Sequence, residues 1–501
     1  MRPSRARTAR MAMSRSSRRV WVIWPSAGQG FALSILDKDL RRGDTRSMSH
    51  WPLTRSDITR PAYRSLAQGI AAAIDAGNLR PGDRLPPHRD LAWKLGVSVQ
   101  TVSRAYEELI RADLISGQVG RGSFVKSGPR EVVEVPWYRA PEGRQPIDLS
   151  MMTPVSLPLI AEAWRDSLNR LADRLPDPAM LSFRPRQTMT RYAGMAAGWL
   201  ARCGMVVPSQ RILITNGTTP AMFVALMTAV KPGEIIATES STCHTLKPAA
   251  QYLHAQLRGI EGDERGMLPE ALLAAARASA GRMTAVFLLP SGAGPFARII
   301  DRERREVLAE AAALAGLTIL ENDATGPVSP RRPPPVSSFA PERSFYFTGL
   351  SKSLSPGLRL GFLVMPERQA RQALNRHLSI SWMTTPLMAE IAKDWIESGI
   401  ADRLLEAQRA ELSARNRLAQ RLLSGAGQGF PHGLHRWLPL PEDSDERALL
   451  ADALEQDVAL APGAGFAVTD TTPALRVSLG GASLPDLEQG LTTLARLLPA
   501  G

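Results

Sequence analysis

Cysteine is nearly absent. Cys203 and Cys243 are the two thiols in 501 residues. Two cysteines build no disulfide framework, and their spacing matches no zinc site, so the composition fits a reducing cytosol. Long apolar runs are missing too. No stretch reaches the roughly 18 consecutive apolar residues of a membrane span. Val20–Trp24, behind Arg18 and Arg19, has the outline of an export signal, but Pro25, Ser26, Gly28 and Gly30 interrupt it and no small-x-small cleavage site follows. There is no internal repeat. Acidic charge is in short supply: 48 Asp and Glu stand against 61 Lys and Arg, a formal charge of +13. That balance favours polyanionic partners without naming one. Much of it is local, since residues 1–47 hold eleven basic and three acidic side chains. Residues 1–48 are therefore read as a basic arm, disordered or not translated, with Met48 opening a more ordinary domain start.

What is present is enough chain for two or more domains, at about 100–200 residues each. Leu66, Ile70 and Ile74 recur at helical spacing, and Gly77 supplies a stop. A turn-rich Leu-Arg-Pro-Gly-Asp-Arg-Leu-Pro-Pro follows from Leu79. A short helix is expected over 88–95, a turn at Gly96-Val97, and a second helix over 98–111 with Ser98 as its N-cap. Helix, glycine turn, helix is a DNA-binding pattern, though a small helical bundle would read similarly. The second helix carries Ser98, Gln100, Thr101 and Arg104 towards its N-terminal half, where a recognition helix meets bases and phosphates. Leu114-Ile115 and Phe124-Val125 bracket a glycine-rich hairpin tipped by Arg121. Residues 127–148 are charged and broken by proline, and read as a linker between a domain at 49–126 and another at 149–501.

Beyond the linker, helices alternate with short apolar runs. Ile212–Ile214, Ile235–Thr238, Ala285–Leu289 and Thr318–Leu320 are strand candidates, and Ala221–Val230, Pro269–Ala278, Arg304–Ala315 and Arg371–Ser379 are helix candidates. Such alternation predicts a mostly parallel sheet covered by helices, with ligands beyond the carboxyl ends of its strands. Candidate motifs fall in those places. Gly217, Thr218 and Thr219 follow a strand and open a helix, where backbone amides bind phosphate. Asp323 ends a strand in Leu-Glu-Asn-Asp-Ala-Thr-Gly. Lys352 sits in Phe-Thr-Gly-Leu-Ser-Lys-Ser-Leu-Ser-Pro-Gly-Leu-Arg-Leu-Gly-Phe, residues 347–362, with Ser351 before it and Arg359 after it. A lysine held neutral forms an imine with a carbonyl, and hydroxyls with an arginine bind phosphate. Arg476 lies near the C-terminus in Thr-Pro-Ala-Leu-Arg-Val-Ser-Leu. Each motif alone has an ordinary reading: a surface turn, a helix start, an acidic strand end, a salt-bridged arginine.

Together these strings resemble the MocR-type transcriptional regulators, a GntR-family winged helix-turn-helix fused to an α/β aminotransferase-like domain of the pyridoxal-phosphate fold-type I. The N-terminal match runs from Ala73-Ile-Asp-Ala-Gly-Asn-Leu to Gly-Arg-Gly-Ser-Phe-Val125. The resemblance implies that Arg89, Ser98, Gln100, Thr101, Arg104 and Arg121 contact double-stranded DNA. Val99 stands where family members often have arginine, and an apolar side chain reads a thymine methyl instead. It implies pyridoxal 5'-phosphate carried as a Schiff base on Lys352, with its phosphate at Gly217, Thr218, Thr219, Ser351 and Arg359. It also implies a ring nitrogen on Asp323 and an effector carboxylate on Arg476. The effector is the cofactor itself or a small amino compound, and the assembly is a head-to-tail homodimer. Three positions depart from the pattern. Gly294 falls where an asparagine holds the cofactor's phenolic oxygen, and Thr325 and Cys243 replace tyrosines. Each lost hydrogen bond to a charged oxygen is worth roughly 1.5–3 kcal/mol. A cytoplasmic regulator without sustained turnover is therefore expected. The rivals are an active aminotransferase carrying a DNA-binding module, and a regulator whose large domain has lost the cofactor.

Overall fold

A computed structural model describes residues 51–75, 78–79, 83–111, 114–118, 122–125, 145–181, 183–424, 426–469 and 472–498. The chain divides after Arg130 into two compact units.

The first unit holds three helices, α1 (Ala62–Asp75), α2 (His88–Leu95) and α3 (Val99–Arg111), and a hairpin of β1 (Ile115–Gln118) and β2 (Gly122–Val125). Its core follows from helical periodicity. Leu66 and Ile70 of α1 meet Leu91 and Leu95 of α2 and Val102, Ala105, Tyr106 and Leu109 of α3. Gly96 ends α2 at φ 64°, a left-handed cap that lets the chain turn sharply into α3. Ser98 caps α3, its Oγ accepting from the Thr101 backbone N–H at 3.0 Å. The buried Tyr106 hydroxyl donates to the Pro86 carbonyl at 2.8 Å and so ties α3 to the turn before α2. The residues around Arg84 pair with the wing, Leu85 N–H donating to the Ser123 carbonyl and Val125 N–H to that of Asp83. The helices and wing expected from the sequence are all present.

The second unit is built on a seven-stranded sheet. Its parts in chain order are β3 (Ile212–Thr215), α4 (Thr218–Ala229), β4 (Ile235–Glu239), β5 (Gln256–Ile260), β6 (Met283–Leu288), β7 (Thr318–Asp323), β8 (Ser344–Gly349) and β9 (Gly361–Val364). The strand order is β3-β9-β8-β7-β6-β4-β5. Only β9 runs antiparallel to its neighbours, β3 and β8; the other pairings are parallel. The mostly parallel sheet expected from the alternation is observed. Apolar clusters cover both faces, one with Phe345 and Phe347 against α4, another with Tyr346 against Trp199 and Trp395. This is why the strands read as nearly continuous apolar runs. A smaller antiparallel sheet near the C-terminus joins β10 (His435–Pro439), β11 (Ala461–Pro462) and β12 (Ala474–Ser478) in the order β10-β12-β11. No helix among the described residues is long and apolar enough to cross a membrane.

Candidate functional site

The turn from β3 into α4 is built to receive an anion. Gly217 is the N-cap of α4 at φ 111° and ψ 173°, a conformation open in practice to glycine alone, and no side chain caps the helix. The first amides of a helix have no intrahelical partners, and here Thr218 and Thr219 face a cavity. The cradle is tight. A Cβ on Gly361 of β9 would lie 2.5 Å from the Gly217 backbone. A Cβ on Gly217 would lie 3.1 Å from the Arg359 guanidinium, which fixes that cation beside the helix terminus. Arg359 itself is exposed and left-handed, at φ 45°.

The cavity measures about 330 Å³. Lys352 and Ser351 enter it from the loop after β8, and Arg476 enters from β12. Burial and then the Arg476 charge pull the Lys352 amine down to about 8, so an appreciable fraction is neutral near pH 7. Arg476 is itself buried, its guanidinium 4.6 Å from the Phe466 ring centre and donating to the Ser150 carbonyl. His244 sits against Phe466, and burial with the Arg476 charge holds its imidazole down to about 3, hence neutral.

The structure thus gathers Gly217, Thr218, Thr219, Ser351, Lys352, Arg359 and Arg476 in one place from three separate stretches of sequence. Asp323 is not among them. Side chains alternate along β7. Asn322 faces the cavity, whereas Asp323 is turned to the opposite side, fully buried. There Asp323 pairs with Arg332 at 2.5 Å and accepts a hydrogen bond from Tyr346. Glu321, on the same side, accepts the backbone N–H groups of Val336 and Ser337 at 3.1 and 2.7 Å. The expectation that Asp323 meets a ring nitrogen does not match this register. Asn322 carries no charge to mark it in the sequence, and the strand's pleat is what brings its side chain to the cavity wall.

The departures also have a structural form. Gly294 brings no side chain to the wall, and its carbonyl lies 3.0 Å from His435 Nε2. Thr325 is buried and donates to the Ser291 carbonyl at 3.0 Å, while Ala324 lines the cavity. Cys243 does line it, and burial pushes its thiol up, away from the reactive thiolate. No tyrosine reaches the wall among the described residues.

In the first unit, α3 turns Ser98, Val99, Gln100 and Arg104 outward, with Thr101 half-buried beneath them, and Arg89 is exposed on α2. Ser98 and Thr101 hydroxyls lie 2.8 Å apart and serve the cap, which occupies them locally. The Arg104 guanidinium lies over the Tyr63 ring at 4.0 Å. Tyr63 carried no signal in the sequence, because its partner is on another helix. Arg121 lies outside the described residues.

A model of the aminotransferase class I and II family matches residues 195–494. The chain belongs to that family. Within this aminotransferase-family chain, residues 62–125 match a model of bacterial regulatory proteins of the gntR family. A curated relative, the uncharacterized HTH-type transcriptional regulator YdeF of Bacillus subtilis, is 29% identical over 455 residues, covering 89% of this chain and 96% of the relative. The HTH-type pyridoxine biosynthesis transcriptional regulator PdxR of Corynebacterium glutamicum is 26% identical over 313 residues, covering 61% and 66%. Among solved structures, the kynurenine aminotransferase of Pyrococcus horikoshii superposes with a TM-score of 0.65 at 22% identity, covering 71% of this chain and 91% of that one. That likeness concerns the aminotransferase-family fold.

Proposed function

We propose that this chain is a DNA-binding transcriptional regulator of the MocR type whose aminotransferase-like unit binds pyridoxal 5'-phosphate and senses it or a small amino compound. One observation carries the reading. A lysine with a depressed pKa shares a cavity with a helix N-terminus, Arg359 and Arg476, in a chain that also presents an exposed polar helix face on a winged helix. The residues fit the cofactor: a glycine-only cradle with an adjacent guanidinium suits a phosphate, and a part-neutral buried amine suits an aldehyde. The phosphate would rest on Gly217, Thr218, Thr219, Ser351 and Arg359, and the aldehyde would meet Lys352. When bound, pyridoxal phosphate supplies an aldehyde that condenses reversibly with primary amines.

Arg476 would take the carboxylate of an amino compound in the same cavity. Among the described residues no tyrosine lines the wall and Gly294 brings it no side chain, which supports sensing over sustained turnover. DNA would be met by Arg89, Ser98, Gln100, Thr101, Arg104 and Arg121. A head-to-tail homodimer in the cytoplasm would present two such surfaces to repeated half-sites.

The test is chemical trapping followed by footprinting. Borohydride reduction of the protein with pyridoxal phosphate should tag Lys352, read by peptide mass. Footprints on the DNA upstream of its own gene should change when cofactor or an amino compound is added. A protein that stays colourless and untagged removes the cofactor from this reading. Sustained transamination across an amino-acid panel would instead favour an enzyme.

A further inference from the structure

The cavity wall carries cations and no carboxylate. Lys352, Arg359 and Arg476 reach it, and among the described residues no Asp or Glu does. Its other titratable groups are neutral near pH 7: burial raises the Cys243 thiol, and His244 is held down to about 3. In the ligand proposed above, a phosphate answers Arg359 and a carboxylate answers Arg476. Nothing anionic on the wall answers a ring nitrogen.

Asn322 is the side chain that β7 brings to this wall. It is 7% exposed and lines the cavity from the end of β7. Its Nδ2 meets Cys243 Sγ at 3.9 Å, and its Oδ1 has no hydrogen-bond partner. A buried polar atom left unpaired at a cavity wall points to a ligand. Asp323, the adjacent carboxylate, is committed on the other side to Arg332 and Tyr346.

We propose that Asn322 faces the ring nitrogen of pyridoxal phosphate and that this nitrogen is held unprotonated. The inference rests on the cofactor reading above. An amide is neutral and gives a pyridinium no ion-pair partner; with its two ends exchanged, Nδ2 donates to an unprotonated ring nitrogen and Oδ1 accepts from the Cys243 thiol, which burial keeps protonated. A protonated nitrogen in a buried site lined by cations would need a carboxylate against it. The unprotonated ring is a weaker electron sink than a pyridinium, because it lacks the positive charge that draws electrons from a bound amine. The cavity then holds amino compounds by condensation and by Arg476, with little proton removal from them. Asn322 is in this way the residue that separates binding from turnover.

The experiment is nitrogen NMR of the full chain loaded with pyridoxal phosphate carrying ¹⁵N in its ring. At neutral pH the wild-type signal should sit at the position of an unprotonated pyridine. Asn322→Asp should move it to the pyridinium position. Asp323→Asn should leave it in place while lowering the thermal midpoint. A pyridinium signal in the wild type overturns the proposal. So does an Asn322→Asp signal that stays put, or movement on Asp323→Asn instead. If no protein shows a bound signal, the cofactor reading itself falls and this inference with it.

Discussion

Lys352 is the residue whose chemistry depends most on where the fold puts it. Its amine is at about 8 in the folded chain against an ordinary 10.5, first through burial and then through Arg476. Between those two values the unfolded chain binds more protons, so stability rises with pH across that window. Below about 8 both states are protonated and the folded chain carries the full cost of a charged amine in a cationic cavity. Ligand-free Lys352→Met should therefore be more stable than the wild type by about 1–2 kcal/mol at pH 7. The gap should close as pH approaches 10.5. Urea denaturation at a series of pH values reads it. A gap that stays constant with pH would show that the amine is solvated rather than buried.

At the scale of elements, β7 shows how one strand serves two purposes on its two sides. Asn322 looks into the cavity, while Glu321 and Asp323 fasten the strand to the segment around Arg332–Ser337. Breaking a buried ion pair leaves a charge without an answer. Arg332→Ala should cost about 3–5 kcal/mol in chemical denaturation. Replacing both partners with apolar residues should cost less, since no lone charge remains. The α3 helix is likewise two-sided. Val102, Ala105, Tyr106 and Leu109 hold it in the core, and Gln100 and Arg104 are left outside. Arg104→Ala should weaken DNA binding by about 1–3 kcal/mol, from about fivefold to about 150-fold. Tyr63→Leu should lose about 0.5–1 kcal/mol by removing the ring beneath the guanidinium. Titrations at fixed salt measure both, because phosphate contacts make affinity salt-dependent.

At the scale of the whole molecule, each unit has its own apolar core. The cluster around Leu66, Leu91 and Tyr106 is confined to the first unit, and the sheet-covering clusters belong to the second. A ligand that binds only the folded second unit stabilises it by mass action, about 2.7 kcal/mol at a hundredfold excess over Kd. Calorimetry with pyridoxal phosphate should raise the larger unit's transition accordingly. Lys352→Met should reduce that rise, because the covalent part of the attachment is gone.

Much of this architecture was legible from local pattern. The helices at 62–75, 88–95 and 99–111 declare themselves through periodic apolar residues, the Ser98 cap and Gly96. The strand-helix alternation announces the parallel sheet, and Gly217, Lys352, Arg359 and Arg476 stand out because their strings have special chemistry. Other features were not legible. The strand β8, a wholly buried run of Ser-Phe-Tyr-Phe-Thr-Gly, has no alternation to mark it. The partners Arg332 of Asp323 and Tyr63 of Arg104 lie on other elements.

The sequence by itself determined which elements form, because helix periodicity, caps and turn glycines act within a few residues. It also determined that a lysine, two arginines and a glycine turn were available. Only the tertiary structure decided what they face. A strand's side chains alternate, so a shift of one residue exchanges the two faces. That single step puts the neutral Asn322 on the cavity wall and locks the charged Asp323 behind it. No local pattern in Glu-Asn-Asp distinguishes the two, because the face that becomes the cavity is defined by α4, Cys243 and Lys352 arriving from elsewhere in the chain.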